Sequence, residues 1–293
     1  MSATTNELKP GVFAKYKALV FDCYGTLIDW ETGIYNGLRP LFDAKRKPSD
    51  RRAVIEAFLS VERDLQARHP SMLYSDLLAK VYTTLEARLQ NKPTPPDALR
   101  DDGATAAPVE SSAHSGSGTA QVDAVPVGTS AATLDQPPSA AAAFAQSVGT
   151  WPPFPDTPGA LKSLSQRFKL VILSNIDHVS IAKTRKLMEG PGGFTFDAVY
   201  TAQDAGAYKP APEMLTYALQ HLKDEFGITQ EEVLMTAQSM THDIIPARGR
   251  GIATAWIDRP NAICRPADVK GDEAMFVFPT MGDMADAVER LSS

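Results

Sequence analysis

The string VFDCYGTLIDW, residues 20–30, runs an apolar segment into a carboxylate at Asp22 and then through Tyr24, Gly25 and Thr26. A carboxylate is ionised at neutral pH and can form a covalent ester, dividing one difficult displacement into two easier steps; Asp22 is therefore a candidate nucleophile. Gly25 and Thr26 suit a tight departure of the backbone, with amides available to a substrate. Further polar groups end later apolar runs: Ser174 and Asn175 close KLVILSN, Lys209 follows FDAVYTA, and Gln238, Ser239 and Asp243 follow EVLMTA. Lys209 precedes Pro210, which biases its backbone towards extended geometry and lets the long side chain project. An ammonium about 4 Å from a carboxylate attracts it by roughly 4 kcal/mol at an effective dielectric of about 20, before desolvation of both groups is subtracted.

These groups act together only if the chain folds them to one place. From Trp151 onward, short β-branched runs alternate with helical stretches such as 159–167, 212–223 and 284–291, the signature of a parallel sheet with helices on both faces. With YKALVFD as a first strand, the expected fold class is α/β: a doubly wound parallel sheet, a Rossmann-like core, carrying an inserted helical cap. In such sheets ligands sit beyond the carboxyl ends of the strands, near the topological switch point, which is where the polar groups above would converge.

The expected core takes residues 1–32 and 151–293, and the cap residues 33–150. In the cap, Val54, Phe58, Val61 and Leu65 share one helical face, Leu73, Leu77, Val81, Leu85 and Leu89 another, and residues 140–149 form a third helix. Between them, about 91–139, the composition shifts to Ala, Pro, Ser and Gly with few large apolar residues, too little to offset the entropy of ordering it; a disordered insertion is expected. MSATTNELKP is read as a loose tail without a secretory pattern.

The formal charge of −6 argues against a broad nucleic-acid surface, which needs clustered cations to release counterions, and favours a small-molecule substrate. No apolar stretch is long enough for a membrane span. Two cysteines, Cys23 and Cys264, in no ligand-like spacing suggest neither a disulfide framework nor a zinc site, and fit a cytoplasmic location. A homodimer is left open.

FDCYGTLID, ILSN, YKPAPEML and SMTHD, in that order and with a cap between the first and second, resemble the four motifs of the haloacid dehalogenase superfamily. Within it, Tyr24, two residues after Asp22, makes the chain most similar to the type II 2-haloacid dehalogenases. The resemblance implies a hydrolase in which Asp22 displaces halide from a short 2-haloacid and water then cleaves the ester, with no metal or other cofactor. It implies that Lys209 and Asp243 are catalytic, that Ser174 and Asn175 hold the substrate carboxylate beside Tyr24 and Thr26, and that Gln238 and Ser239, with His242 behind them, position water. Superfamily phosphatases usually place a second aspartate where Tyr24 stands, because an alkoxide needs a general acid to leave; halide leaves unprotonated.

The chain departs from that family at Met240, where the dehalogenases carry an asparagine. They also use a cap arginine to cradle halide, for which Arg39, Arg46 and Arg63 lie in the right region. Two other readings stay open: a Mg²⁺-dependent phosphatase acting on a small metabolite, with Asp22 and Asp243 on the metal, and a catalytically idle binding module.

Overall fold

The computed structural model describes residues 8–47, 50–90, 137–190, 193–264 and 274–291. Six strands form one sheet in the order β3-β2-β1-β4-β5-β6, every neighbouring pair parallel. They are β1 (Ala18–Phe21), β2 (Lys169–Ser174), β3 (Ala198–Thr201), β4 (Val233–Ala237), β5 (Ala253–Ile257) and β6 (Phe276–Phe278). Each of the six expected apolar runs is thus a strand. β1 and β4 are buried along their whole length, as a central strand covered on both faces requires.

β1 lies between β2 and β4, with Val20 opposite both Val171 and Met235. The chain builds outward through β2 and β3 on one side, then crosses back to add β4, β5 and β6 on the other. The order reverses beside β1, and the crevice that this reversal opens lies just past Asp22.

Among the described residues five helices separate β1 from β2, the first four being α1 (Trp30–Ala44), α2 (Arg51–Arg68), α3 (Tyr74–Leu89) and α4 (Ala140–Ser147). α1 begins at Trp30, so residues 30–32 share a helix with the segment that follows them. The apolar face of α2 is buried at Val54, Phe58, Val61 and Leu65, and Asp50 caps its first turn by accepting from Ala53 N. In α3, Leu77, Val81 and Leu85 are buried, whereas Leu73 stands exposed at the amino-terminal cap position. The expected disordered insertion lies outside the described residues except for 137–139, where Ser139 caps α4.

The remaining helices are α5 (Thr157–Leu164), α6 (His178–Met188), α7 (Ala202–Ala205), α8 (Pro212–Phe226), α9 (Ile245–Gly249) and α10 (Met281–Leu291). α6 carries few buried apolar side chains, chiefly Ile181 and Met188, so its periodicity is faint in the sequence. Its cap is Asp177, which accepts from Ser180 N.

Two glycines set how closely α1 is approached. A Cβ on Gly33 would lie 2.2 Å from Trp151 Cγ, and one on Gly37 2.5 Å from Phe144 Cδ2. Trp151 in turn packs edge-on against Tyr24, with ring centroids 5.9 Å apart, so the packing of α1 bears on the residues around Asp22. Alanine in an open helix interior is favoured over glycine by about 1 kcal/mol, but overpacking costs about 1–3 kcal/mol. Gly33→Ala should therefore lower the urea midpoint of unfolding; a raised midpoint would show that Trp151 yields freely.

Candidate active site

The residue after β1 is Asp22, whose amide continues the ladder by donating to Thr236 O at 3.1 Å. Its side chain meets that of Lys209, which arrives from the loop before α8. Lys209 Nζ donates to Asp22 Oδ1 at 2.7 Å, to Asp243 Oδ1 at 2.8 Å and to Leu173 O at 2.9 Å. An ammonium has three N–H donors, and all three are used. Asp22, Lys209 and Asp243 are all buried. Sequence positions 22, 209 and 243 therefore meet at one point on the sheet edge.

Burial alone would push the Lys209 amine down, but the two carboxylates outweigh it and hold its pKa above the ordinary lysine value. Of the two, Asp243 bears the cost of burial: desolvation pushes its carboxyl up against the pull of Lys209, and the charge of Asp22 adds to the push. Two anions share one cation, and Asp243 Oδ2, fully buried, has no hydrogen-bond partner among the described residues.

Thr26 does not line the cavity at this site, contrary to its expected place beside the substrate. Instead its hydroxyl donates to Asp22 Oδ2 at 2.7 Å and accepts from Gln238 N at 2.8 Å, tying Asp22 to the end of β4. Beneath it the buried Arg259 donates to Thr26 O, pairs with Asp156 at 2.7 Å and stacks on Phe154. The loop that aims Asp22 is thus held at both of its faces.

Asn175 lines the cavity but commits its amide to Lys209: Oδ1 accepts from Lys209 N at 2.6 Å and Nδ2 donates to Lys209 O at 3.1 Å. It clamps the lysine backbone, so one of its two amide donors is already spent. Ser174 lines the cavity with a hydroxyl that makes no hydrogen bond within the described residues. Ser239, expected to position water, accepts from His242 N at 3.2 Å and pairs with His242 Nδ1 at 3.1 Å, capping the turn Met240–Ile244. Gln238 reaches the cavity wall, where its Oε1 accepts from the Cys264 thiol. Tyr24 bonds Thr184 Oγ1 on α6 at 2.7 Å, leaving its ring to form part of the wall.

The cavity above Asp22 holds about 150 Å³. That is room for a small molecule beside Asp22 in a pocket that opens to solvent. α2 supplies Leu59, Glu62, Arg63 and Gln66 to its wall, spaced i, i+3, i+4 and i+7. In the sequence the apolar face beside this stripe carries the stronger signal, although the stripe has the same helical spacing. Of the three candidate arginines, only Arg63 lines the cavity; Arg39 pairs with Asp43 on the surface, and Arg46 sits in a turn with φ 51°. Trp30, Tyr74, Trp151 and His242 also line it, and Met240 fills the asparagine position.

For magnesium the donors fit poorly. Three of the four carboxylate oxygens are taken by Lys209 and Thr26, and the described residues hold no group of three or more His, Cys, Asp or Glu side chains able to bind a metal ion. No described helix is long and apolar enough to cross a membrane.

The sequence matches the haloacid dehalogenase-like hydrolase family over residues 16–249. This chain belongs to that family. It is 36% identical over 110 residues to haloacetate dehalogenase H-2 of Moraxella sp. (strain B), a match that takes in 36% of this chain and 45% of the relative's length. In three dimensions it resembles the L-2-haloacid dehalogenase of Xanthobacter autotrophicus with chloropropionic acid covalently bound, with a TM-score of 0.62, 17% identity, and coverage of 94% of this chain and 98% of that one. The HAD-hydrolase YfnB of Bacillus subtilis, bound to magnesium, is similar at a TM-score of 0.59 and 16% identity, covering 95% and 99%. At these identities the likeness is one of fold, and the site has to carry the chemistry.

Replacing Lys209 by methionine keeps most of the length of the side chain and strands two buried carboxylates. Removing one partner of a buried pair costs about 3–5 kcal/mol. Urea unfolding of Lys209→Met near neutral pH should show a loss of that order. The loss should shrink on acidification, since a stranded Asp243 is relieved by taking a proton; a loss independent of pH would contradict the charge account.

Proposed function

We propose that this protein displaces halide from a short 2-haloacid through an ester at Asp22. The observation that carries the reading is the buried Asp22–Lys209–Asp243 cluster at the floor of a cavity walled by α2. Residues 33–150 serve as a cap over a core of residues 1–32 and 151–293.

An Asp22 oxygen attacks the α-carbon, the carbon–halogen bond breaks, and halide leaves with the bonding pair. Ser174 offers its hydroxyl to the substrate carboxylate, and Arg63 offers a cation to the halide. No acid is needed for this departure, which suits Tyr24, whose hydroxyl is engaged with Thr184 and whose pKa burial drives well above the usual tyrosine range. Water then attacks the side-chain carbonyl of the Asp22 ester, releasing a 2-hydroxy acid and restoring the carboxylate. Asp243, held beside Asp22 by Lys209, is the carboxylate we assign to that water. None of these steps calls on a metal.

The test is halide release from 2-chloropropionate with and without EDTA. Wild type should turn over equally in both, and Asp22→Asn, folded to the same melting temperature, should lose at least about a thousandfold in kcat, as expected when a covalent route is removed. EDTA-sensitive release of phosphate from metabolite esters, with no halide from any haloacid, would favour the phosphatase reading instead.

A further inference from the structure

The mechanism above leaves one cavity carboxyl unused. Glu62 lies on the α2 wall, with Oε1 accepting from Tyr74 Oη at 2.8 Å and from Gln66 Nε2 at 3.5 Å. Its Oε2 takes no hydrogen bond within the described residues. The sheet-edge wall opposite α2 already carries two carboxylates on one ammonium, a net negative charge.

Displacement at carbon is in line: the leaving group departs on the side away from the attacking oxygen. With Asp22 on the sheet edge, the halide is expelled towards the α2 wall, where Glu62 and Arg63 stand. An ionised Glu62 there would face a departing anion at close range in a small, partly dry space, which costs far more than in water.

Resting on the haloacid reading, we propose that Glu62 acts in its protonated form and donates a hydrogen bond from Oε2 to the departing halide, beside the Arg63 guanidinium. The carboxyl keeps its proton throughout: the carbon–oxygen bond to Asp22 forms, the carbon–halogen bond breaks, and the halide carries the pair away as an anion hydrogen-bonded to Glu62. Burial favours the neutral acid, pushing Glu62 up to about 7, while the Tyr74 hydrogen bond and the Arg63 charge pull the other way. The other groups bearing on Glu62 are the tyrosines Tyr74 of α3 and Tyr208 of the loop before α8. Across the cavity stand Asp22, Lys209, Asp243 and His242.

The sign follows directly. Raising the pH through the Glu62 value ionises it, so kcat/KM for halide release should fall on the alkaline side, by about tenfold for each pH unit well above the midpoint. Glu62→Gln, whose amide donates at any pH, should abolish that descent. Tyr74→Phe removes a bond that favours the anion, so it should move the descent to higher pH.

The experiment is the pH profile of kcat/KM with 2-chloropropionate for wild type and both variants. An alkaline limb that vanishes in Glu62→Gln and moves upward in Tyr74→Phe supports the proposal. A limb that persists unchanged in Glu62→Gln, or a wild-type profile without one, overturns it. If Glu62→Gln fails to fold, Tyr74→Phe decides alone: an upward shift supports the proposal, and no shift or a downward one overturns it. A wild-type enzyme that releases no halide from any haloacid overturns the haloacid reading itself, an outcome distinct from all of these.

Discussion

One ammonium holds the site together. Lys209 Nζ reaches two carboxylates and the Leu173 carbonyl within 2.9 Å, and every proton it can donate is committed. Buried charge is tolerated only where it is paired and hydrogen-bonded, so the positions of Asp22 and Asp243 depend on where this lysine is fixed. That is the task of Asn175, which grips the lysine backbone from the end of β2. Thr26 does the same for Asp22 from the other side, linking it to the end of β4. Central strands β2, β1 and β4 are thereby cross-braced at the rim where chemistry is expected.

Much of this was legible in the sequence. Six apolar runs gave six strands, and the polar residues at their ends met at a common edge because parallel strands bring all their carboxyl ends to one side. Contact with a substrate is harder to read. Thr26 and Ser239 sit beside reactive residues in the chain, yet their hydroxyls are absorbed by Asp22 and His242. Which of a hydroxyl's neighbours claims it depends on backbone geometry of about an ångström, which residue type and spacing do not encode.

The α2 wall was hidden for another reason. Its buried stripe, Val54 to Leu65, dominates the periodicity, whereas Glu62, Arg63 and Gln66 look like ordinary solvated residues until a facing surface exists. A mainly polar stripe beside an apolar one can mean either solvent or a second wet surface, and only packing distinguishes them. The same limit applied to the three arginines, of which packing brings Arg63 alone into the cavity.

The central claim is that Asp22, and not water, attacks the substrate. It is tested most directly by a single turnover of 2-chloropropionate in heavy-oxygen water, followed by mass analysis of the hydroxy acid and of the peptide containing Asp22. If Asp22 attacks, the product of the first turnover carries ordinary oxygen taken from the enzyme and the label appears in Asp22. Label in the first-turnover product with none in the peptide would mean that water attacks carbon directly, and the account would be wrong.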